Sequence, residues 1–539
     1  MCRSDLRRST RSHAQGNRIQ HPPGLPVASE PPRAAHLSIP VTYESRCEVA
    51  LLRRGFQNGG EPVCAAGREL LFFQYHRETS SMRGMIAAYL LAVVWLFNAG
   101  DRVQAAEPHE DRCVILVSVD GLAHFYLDDP LADMPTLRKL AKTGAQADGM
   151  VCSFPTVTWP NHTTLVTGTT PAKHGVIGNN YLDRNSASPV PFIPDPLFDK
   201  DQIVKVPTIY DAAHNAGLVT AGIVWPATRN ARTLDWTVPD MFGKEAWPKY
   251  ATPVWLNELR EAGLPVDLHG DWTGESGGGV KRDWLYTRMA RHLFEKHPPN
   301  LLMIHLVEVD HVEHKYGPRS PEAYWAVSYA DDRLRDIVEA IERSPHRDKT
   351  TLVVASDHGF FPISKDIRPN VILKQAGLLS KEKKQAYCLS QGGACMVYLL
   401  DDAKREEMKA ELKKKFAAVE GVQAVLDQDE YTKLGLPTPA EDSHAPDFWL
   451  SAKSGYSFTN SETGDDVIAP RKTPGGTHGY LPDQPDMLAT LVINGFGIKP
   501  GSKLGKVQSI DVAPTMARLL GVELPTAQGK PLMSALQDD

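Results

Sequence analysis

Apolar residues along the chain gather into short β-branched runs, and from Arg112 onward these runs alternate with stretches of helical spacing. The run "CVILVSV" (113–119) is apolar at every step but one, as a strand covered on both faces requires. "MPTLRKLAKTG" follows as a helix, with Pro135 near its start and Gly144 beyond its end. "PTIYDAAHNAG" (207–217) repeats the device and leads into the apolar "LVTAGIV". Further strands are expected at "NLLMIHLVEV" (300–309), "TTLVVAS" (350–356) and "DMLATLVI" (486–493), with helices over 319–343 and 511–520. Such alternation predicts an α/β fold with a doubly wound, mostly parallel sheet, occupying 112–537. Within it, 384–470 reads as an inserted α+β unit: "ACMVYLL", the charged helix "DDAKREEMKAELKKKFAAVEG", then "VQAVLD". The lysines and glutamates of that helix make a solvated face.

Upstream of residue 112 the pattern fails. Residues 1–81 contain arginine but no lysine, with scattered proline, glycine and serine, and are read as disordered or as translated from too early a start. "MRGMIAAYLLAVVWLFNAGDRVQAAEP" begins with Arg83, runs apolar from Met85 to Phe97 and closes on Val103-Gln104-Ala105. This is the form of a secretory signal peptide over 82–105, which makes Met82 the expected initiator and places the protein in a periplasm or outside the cell. The apolar run is shorter than the ~20 residues that span a bilayer, so no stable membrane span is expected.

Composition changes little in that picture. With 42% apolar and 23% charged residues, the chain has the balance of a globular protein with a sizeable core. Its net charge of -6 argues against coating nucleic acid, but not against an anionic small molecule if a metal supplies the positive charge. Cys2, Cys47 and Cys64 precede the signal; Cys113 reads as a small buried hydrophobe, and Cys388 and Cys395 can bridge a short loop. Oligomeric state is not legible.

The chemistry sits where strands end, which is where open α/β sheets bind ligands. Asp120 closes the first strand in "VSVDG"; Asp357 and His358 follow another in "ASDHG". Asp310 and His314 lie one helical turn apart in "VEVDHVEHKYGP", and His478 stands in "PGGTHGYLP". Singly, each is as well explained by a helix cap or a satisfied polar residue. Together, aspartates and histidines at the ends of separate strands form a normal ligand inventory for zinc.

The set "SVDG", "FPTVTWPNHTTLVTG", "PAKHGVIGNN", "DHVEHKYGP", "SDHG" and "GGTHGY" closely resembles the nucleotide pyrophosphatase/phosphodiesterase branch of the alkaline phosphatase superfamily, in the family's order and across nearly all of 113–537. The resemblance implies one zinc ion held by Asp310, His314 and His478, and a second held by Asp120, Asp357 and His358. It implies Thr158 as a nucleophile bridging toward the second metal, Asn161 as a donor to a phosphate oxygen, and turnover through a phosphothreonine. The implied substrate is a small phosphodiester or nucleotide, and no specific nucleic-acid binding is expected. Metal coordination suits threonine, whose hydroxyl is a poor nucleophile unaided. Two ions roughly 4 Å apart can stabilise the attacking and leaving oxygens of an in-line displacement. Pro160 starts a helix behind Thr158, whose free N–H groups favour a transferring phosphoryl group.

Trp159 stands where the family usually has phenylalanine, so it is expected either to stack on a nucleobase or to pack in the core. Tyr181, Trp225 and His305 are candidate pocket residues, while His162 and His174 read as structural hydrogen-bonders. Sulfatases need Cys or Ser followed by x-Pro-x-Arg, which Thr158-Trp-Pro-Asn-His does not supply. The alternatives are a phosphonoacetate hydrolase, which shares the threonine and two zinc ions, and a degenerate binding protein without turnover.

Overall fold

The structure is a computed structural model, and it describes residues 107–193 and 198–537. The proposed upstream segment and signal peptide lie outside the described residues.

An eight-stranded sheet forms the centre. Five contiguous parallel strands lie in the order Thr350–Ala355, Cys113–Val119, Leu301–Leu306, Thr220–Ile223, Trp236–Val238; Leu491–Gly495 joins antiparallel beside Thr350–Ala355. The first strand shows why its apolar run is continuous. Cys113, Ile115, Val117 and Val119 face a core built with Leu137, Leu259, Met289 and Ile337 from four helices. Val114 and Leu116 point the other way, onto Leu165, Ile209 and Met516 from three more. Both faces of the strand are therefore buried, as period-two alternation between two helical layers demands. This is the doubly wound α/β fold of alkaline phosphatase type.

Two expected elements shift. Of the 486–493 run only 491–493 is strand, the start of Leu491–Gly495, because Pro485–Met487 makes a 3-10 turn. "NLLMIHLVEV" is strand only to Leu306, and Glu308 already begins the next helix, Glu308–Tyr316.

Beyond Phe361 the chain builds two further sheets. One is four-stranded and antiparallel, in the order Ala386–Gln391, Ala394–Leu399, Phe448–Ala452, Val422–Leu426. The helix Arg405–Ala417 buries Met408, Leu412 and Phe416 and exposes its charges. Phe448–Ala452, absent from the strand–helix–strand reading, lies between the two strands of that unit. The other sheet pairs Phe361–Ile367 with Gly455–Phe458 and Ile468–Thr477, and the last of these delivers His478. Cys388 and Cys395 are buried free thiols whose side chains meet between adjacent strands, although Cys388 stands opposite Val397 and Cys395 opposite Ser390. Cys113 is buried as expected, and burial pushes its thiol up to about 12.

Candidate active site

Three adjacent parallel strands end together, and their ends carry the site. Asp120 follows Cys113–Val119, Asp357 and His358 follow Thr350–Ala355, and Leu301–Leu306 runs into the helix bearing Asp310 and His314. His478 arrives from the neighbouring sheet, its ring stacked on that of His358 at 3.7 Å.

All six side chains converge, in two groups. His314 Nε2 lies 3.2 Å from Asp310 Oδ1, His478 Nε2 lies 3.5 Å from the same oxygen, and the two Nε2 atoms are 3.2 Å apart. His358 Nε2 lies 3.3 Å from Asp120 Oδ1 and 3.2 Å from Asp357 Oδ2. Asp310 also falls within ligand range of Asp120 and His358, so it adjoins both groups.

The hydrogen bonds behind these atoms decide what the groups can hold. Each histidine places Nδ1 on a backbone carbonyl: His314 on Gly476 at 3.1 Å, His478 on Thr156 at 3.0 Å, His358 on Gly359 at 3.2 Å. Donation from Nδ1 fixes the tautomer and leaves a lone pair at every Nε2. Two such lone pairs 3.2 Å apart cannot bond each other; they need a cation between them. The carboxylates follow the same scheme. Asp357 Oδ1 accepts from Gly121 N at 3.2 Å, and Asp120 Oδ2 accepts from His305 Nε2 at 3.0 Å. Asp120 Oδ1, Asp310 Oδ1, Asp357 Oδ2 and His358 Nε2 are buried with no hydrogen-bond partner among the described residues. Ligands bonded at ~2.0 Å in a tetrahedron stand about 3.3 Å apart, so the observed spacings suit zinc-sized ions.

The electrostatics agree. Burial, then the nearby Asp120 carboxylate, hold Asp357 well above the usual carboxylate range. Burial works against a charged His358, yet Asp357 and Asp120 outweigh it and push that histidine up to about 9. A cluster with this appetite for protons would release them on taking up a dication.

Thr158 opens the helix Thr158–Thr167, with Pro160 in its first turn, as expected. All ten residues of that helix are buried, and its hydroxyls turn inward: Thr163 Oγ1 bonds Trp159 O and Thr167 Oγ1 bonds Thr163 O, each at 2.8 Å. The turn is tied to the site through His478 on Thr156 O and His162 Nδ1 on Thr158 O at 2.9 Å.

Several expected roles need correction. Asn161 is fully buried, and its amide is spent on the backbone: Oδ1 accepts from Ser153 N, and Nδ2 reaches the carbonyls of Ser153, Pro155 and Val157. It cannot turn to a substrate oxygen. The neutral amide at the helix mouth is Asn179, half-buried, whose Oδ1 accepts from Trp159 N at 2.9 Å. Asn179 lies in "PAKHGVIGNN", and only the fold brings it to Thr158. Trp159 is packed in the core, its indole stacked on Phe192 at 5.2 Å. Trp225 is wholly buried with its edge on His162, and His305 is buried behind Asp120, so neither lines a pocket. Tyr181 is nearly buried, packed against Phe192 and the half-exposed His444 ring at 4.1 Å. His174 is a structural hydrogen-bonder as read, between Thr164 Oγ1 and Val176 N. Asn179→Ala is expected to lower kcat by ~10²-fold, the cost of one lost oxyanion donor, with a smaller fall in melting temperature because it frees the single backbone N–H of Trp159. Asn161→Ala instead destabilises the fold, because it strands buried backbone groups. Thermal melts paired with kinetics separate the two.

A doubly wound sheet with paired Asp/His clusters at its strand ends defines the class, a hydrolase with an α/β fold of alkaline phosphatase type and side-chain groups that could hold metal ions. The family model described as type I phosphodiesterase / nucleotide pyrophosphatase matches residues 114–481, and the chain belongs to that family. Among its relatives are an uncharacterized pyrophosphatase/phosphodiesterase of Schizosaccharomyces pombe, 24% identical over 426 residues (76% of each chain), and mouse ectonucleotide pyrophosphatase/phosphodiesterase family member 7, 25% identical over 439 residues (80% of this chain, 88% of the relative). Rat family member 3 is 26% identical over 281 residues, 51% of this chain but only 28% of the rat protein. Murine ectonucleotide pyrophosphatase/phosphodiesterase 5, solved as an inactive threonine-to-alanine variant with AMP, shares the fold at a TM-score of 0.60 and 19% identity, over 79% of this chain and all of the other.

Proposed function

We propose that this protein is an exported, two-zinc phosphodiesterase or nucleotide pyrophosphatase with Thr158 as its nucleophile. The observation that carries the reading is the convergence, in two groups, of His314, His358 and His478 Nε2 with carboxylate oxygens of Asp120, Asp310 and Asp357, several of them buried without a hydrogen-bond partner among the described residues. The related murine structure, inactive with alanine for a threonine and complexed with AMP, supports a nucleophilic threonine and a nucleotide-sized substrate here. Relatives named venom phosphodiesterases fit export, as does the signal-like 82–105 segment, and no described helix is long and apolar enough to cross a membrane.

Asp310, His314 and His478 would hold one ion, and Asp120, Asp357 and His358 the other. Bound there, the ions would lower the pKa of the attacking hydroxyl and water and neutralise charge on the phosphoryl oxygens. The chain's own part is positional. The buried helix fixes the direction of Thr158, whose oxygen displaces the first ester group from phosphorus. That group leaves as an alcohol or phosphate carrying a proton, and water then cleaves the phosphothreonine to return the hydroxyl. Asn179 Nδ2, without a partner among the described residues, turns to the equatorial oxygen, and the first-turn N–H groups face the same charge.

Diesters should be preferred over monoesters. A monoester brings a second negative charge, yet no arginine or lysine follows Thr158 until Lys173, whose Nζ is engaged by Thr526 O. The expected kcat/KM for bis-nitrophenyl phosphate exceeds that for nitrophenyl phosphate at least tenfold, about 1.4 kcal/mol of transition-state preference. Equal or better monoester hydrolysis would place the protein outside this reading.

A further inference from the structure

Behind the site lie two buried histidines that carry no assigned role in the chemistry. His162, one turn into the Thr158 helix, places Nδ1 2.9 Å from Thr158 O and 3.5 Å from Asp357 Oδ2. His305, the penultimate residue of Leu301–Leu306, places Nε2 3.0 Å from Asp120 Oδ2. Their ring centroids are 4.2 Å apart, and Trp225 packs against His162 at a steep angle, with ring centroids 4.9 Å apart. The free ring nitrogens, His162 Nε2 and His305 Nδ1, have no partner among the described residues. A histidine kept only to fill the core would not need to meet both carboxylates of one ligand group and the nucleophile's carbonyl. An apolar ring of similar volume, beside Trp225, would fill the space without burying polar nitrogens.

We propose that His162 and His305 are positioning residues, which together lock the nucleophile's turn to the second metal group. His305 donates to one oxygen of Asp120, so that the other stays aimed at His358. His162 donates to Thr158 O and so fixes the turn from which the hydroxyl projects; its contact with Asp357 ties that turn to the same group. Outer partners of this kind tune ligand orientation and metal affinity by ~10–100-fold, and a small displacement of a nucleophile costs rate rather than binding. The inference rests on the two-metal reading above.

The two residues make separable predictions. Zinc affinity is read by competition with a chromophoric chelator, and kcat and KM are read at saturating zinc. His305→Leu should weaken the second zinc at least tenfold, while His305→Gln, which keeps a donor where Nε2 stands, should stay within about threefold of wild type. His162→Leu should keep both zinc affinities and lower kcat at least tenfold with KM changed less than threefold. His162→Asn, which restores a donor in place of Nδ1, should recover most of that loss. Melting curves of the metal-free variants check that each one folds; because the Gln and Asn variants keep the polar contact, they carry the test if a leucine variant does not. Leucine variants with wild-type zinc affinity and kcat would overturn the inference alone, as would folded Gln and Asn variants as impaired as the leucines. A wild-type chain that binds no zinc would remove the two-metal reading as well.

Discussion

Thr158→Ala is expected to lower diester hydrolysis by about 10³-fold or more while metal content and melting temperature stay near wild type. The reasoning is local. Thr158 sits at the first position of its helix, where alanine is well tolerated. The hydrogen bonds that anchor the turn run through backbone carbonyls, from His478 to Thr156 O and from His162 to Thr158 O, and survive the change. What disappears is the oxygen that forms the covalent bond, and losses of that kind in other hydrolases reach several orders of magnitude. Residual turnover would come from water attacking directly in a site that still orients the substrate. An alanine variant retaining more than a few per cent of the rate would exclude the covalent route.

The second large effect belongs to Asp310. The residue is shared: its Oδ1 faces His314 and His478 in one group, and its carboxylate lies within ligand range of Asp120 and His358 in the other. Asp310→Ala should therefore empty the first metal position and weaken the second, with kcat/KM falling by about 10⁴-fold. Stability should fall more with metal than without. With metal, the variant loses binding energy linked to the folded state. Without metal, it loses only a carboxylate that burial opposes but that His314 holds below its usual range. Melting curves with and without chelator measure both losses at once. Equal losses in the two forms would mean that Asp310 is a structural residue and not a ligand.

The convergence of the six Asp and His side chains was legible in the sequence, because a strand-end acid or histidine keeps its place whatever surrounds it. Asp120, Asp357 and His358 are fixed by strands whose apolar runs are unmistakable, and Asp310 and His314 by helical spacing. The helix that carries Thr158 was legible by its Pro160 start, although its hydrophobic pattern is blurred. It is buried on all sides, and its threonines satisfy themselves on the preceding turn. Failure came where exposure had to be guessed. Trp159, Trp225 and His305 carry groups suited to a pocket, yet packing from distant segments, Phe192 on Trp159 and His162 on Trp225, places them inside. Asn161 and Asn179 are chemically identical; which one reaches the helix mouth depends on a turn 18 residues beyond Asn161, held by Gln391 from another sheet. The strand Phe448–Ala452 was missed because its five residues are all buried and do not alternate.

The most direct test of the account is a zinc titration of metal-stripped wild-type protein, with hydrolysis of bis-nitrophenyl phosphate followed at each addition. The account predicts negligible activity without metal, a rise that saturates near two zinc ions per chain, and none of that rise in Thr158→Ala despite the same zinc uptake. Full activity in the stripped protein, or two bound zinc ions with no diester hydrolysis, would contradict it.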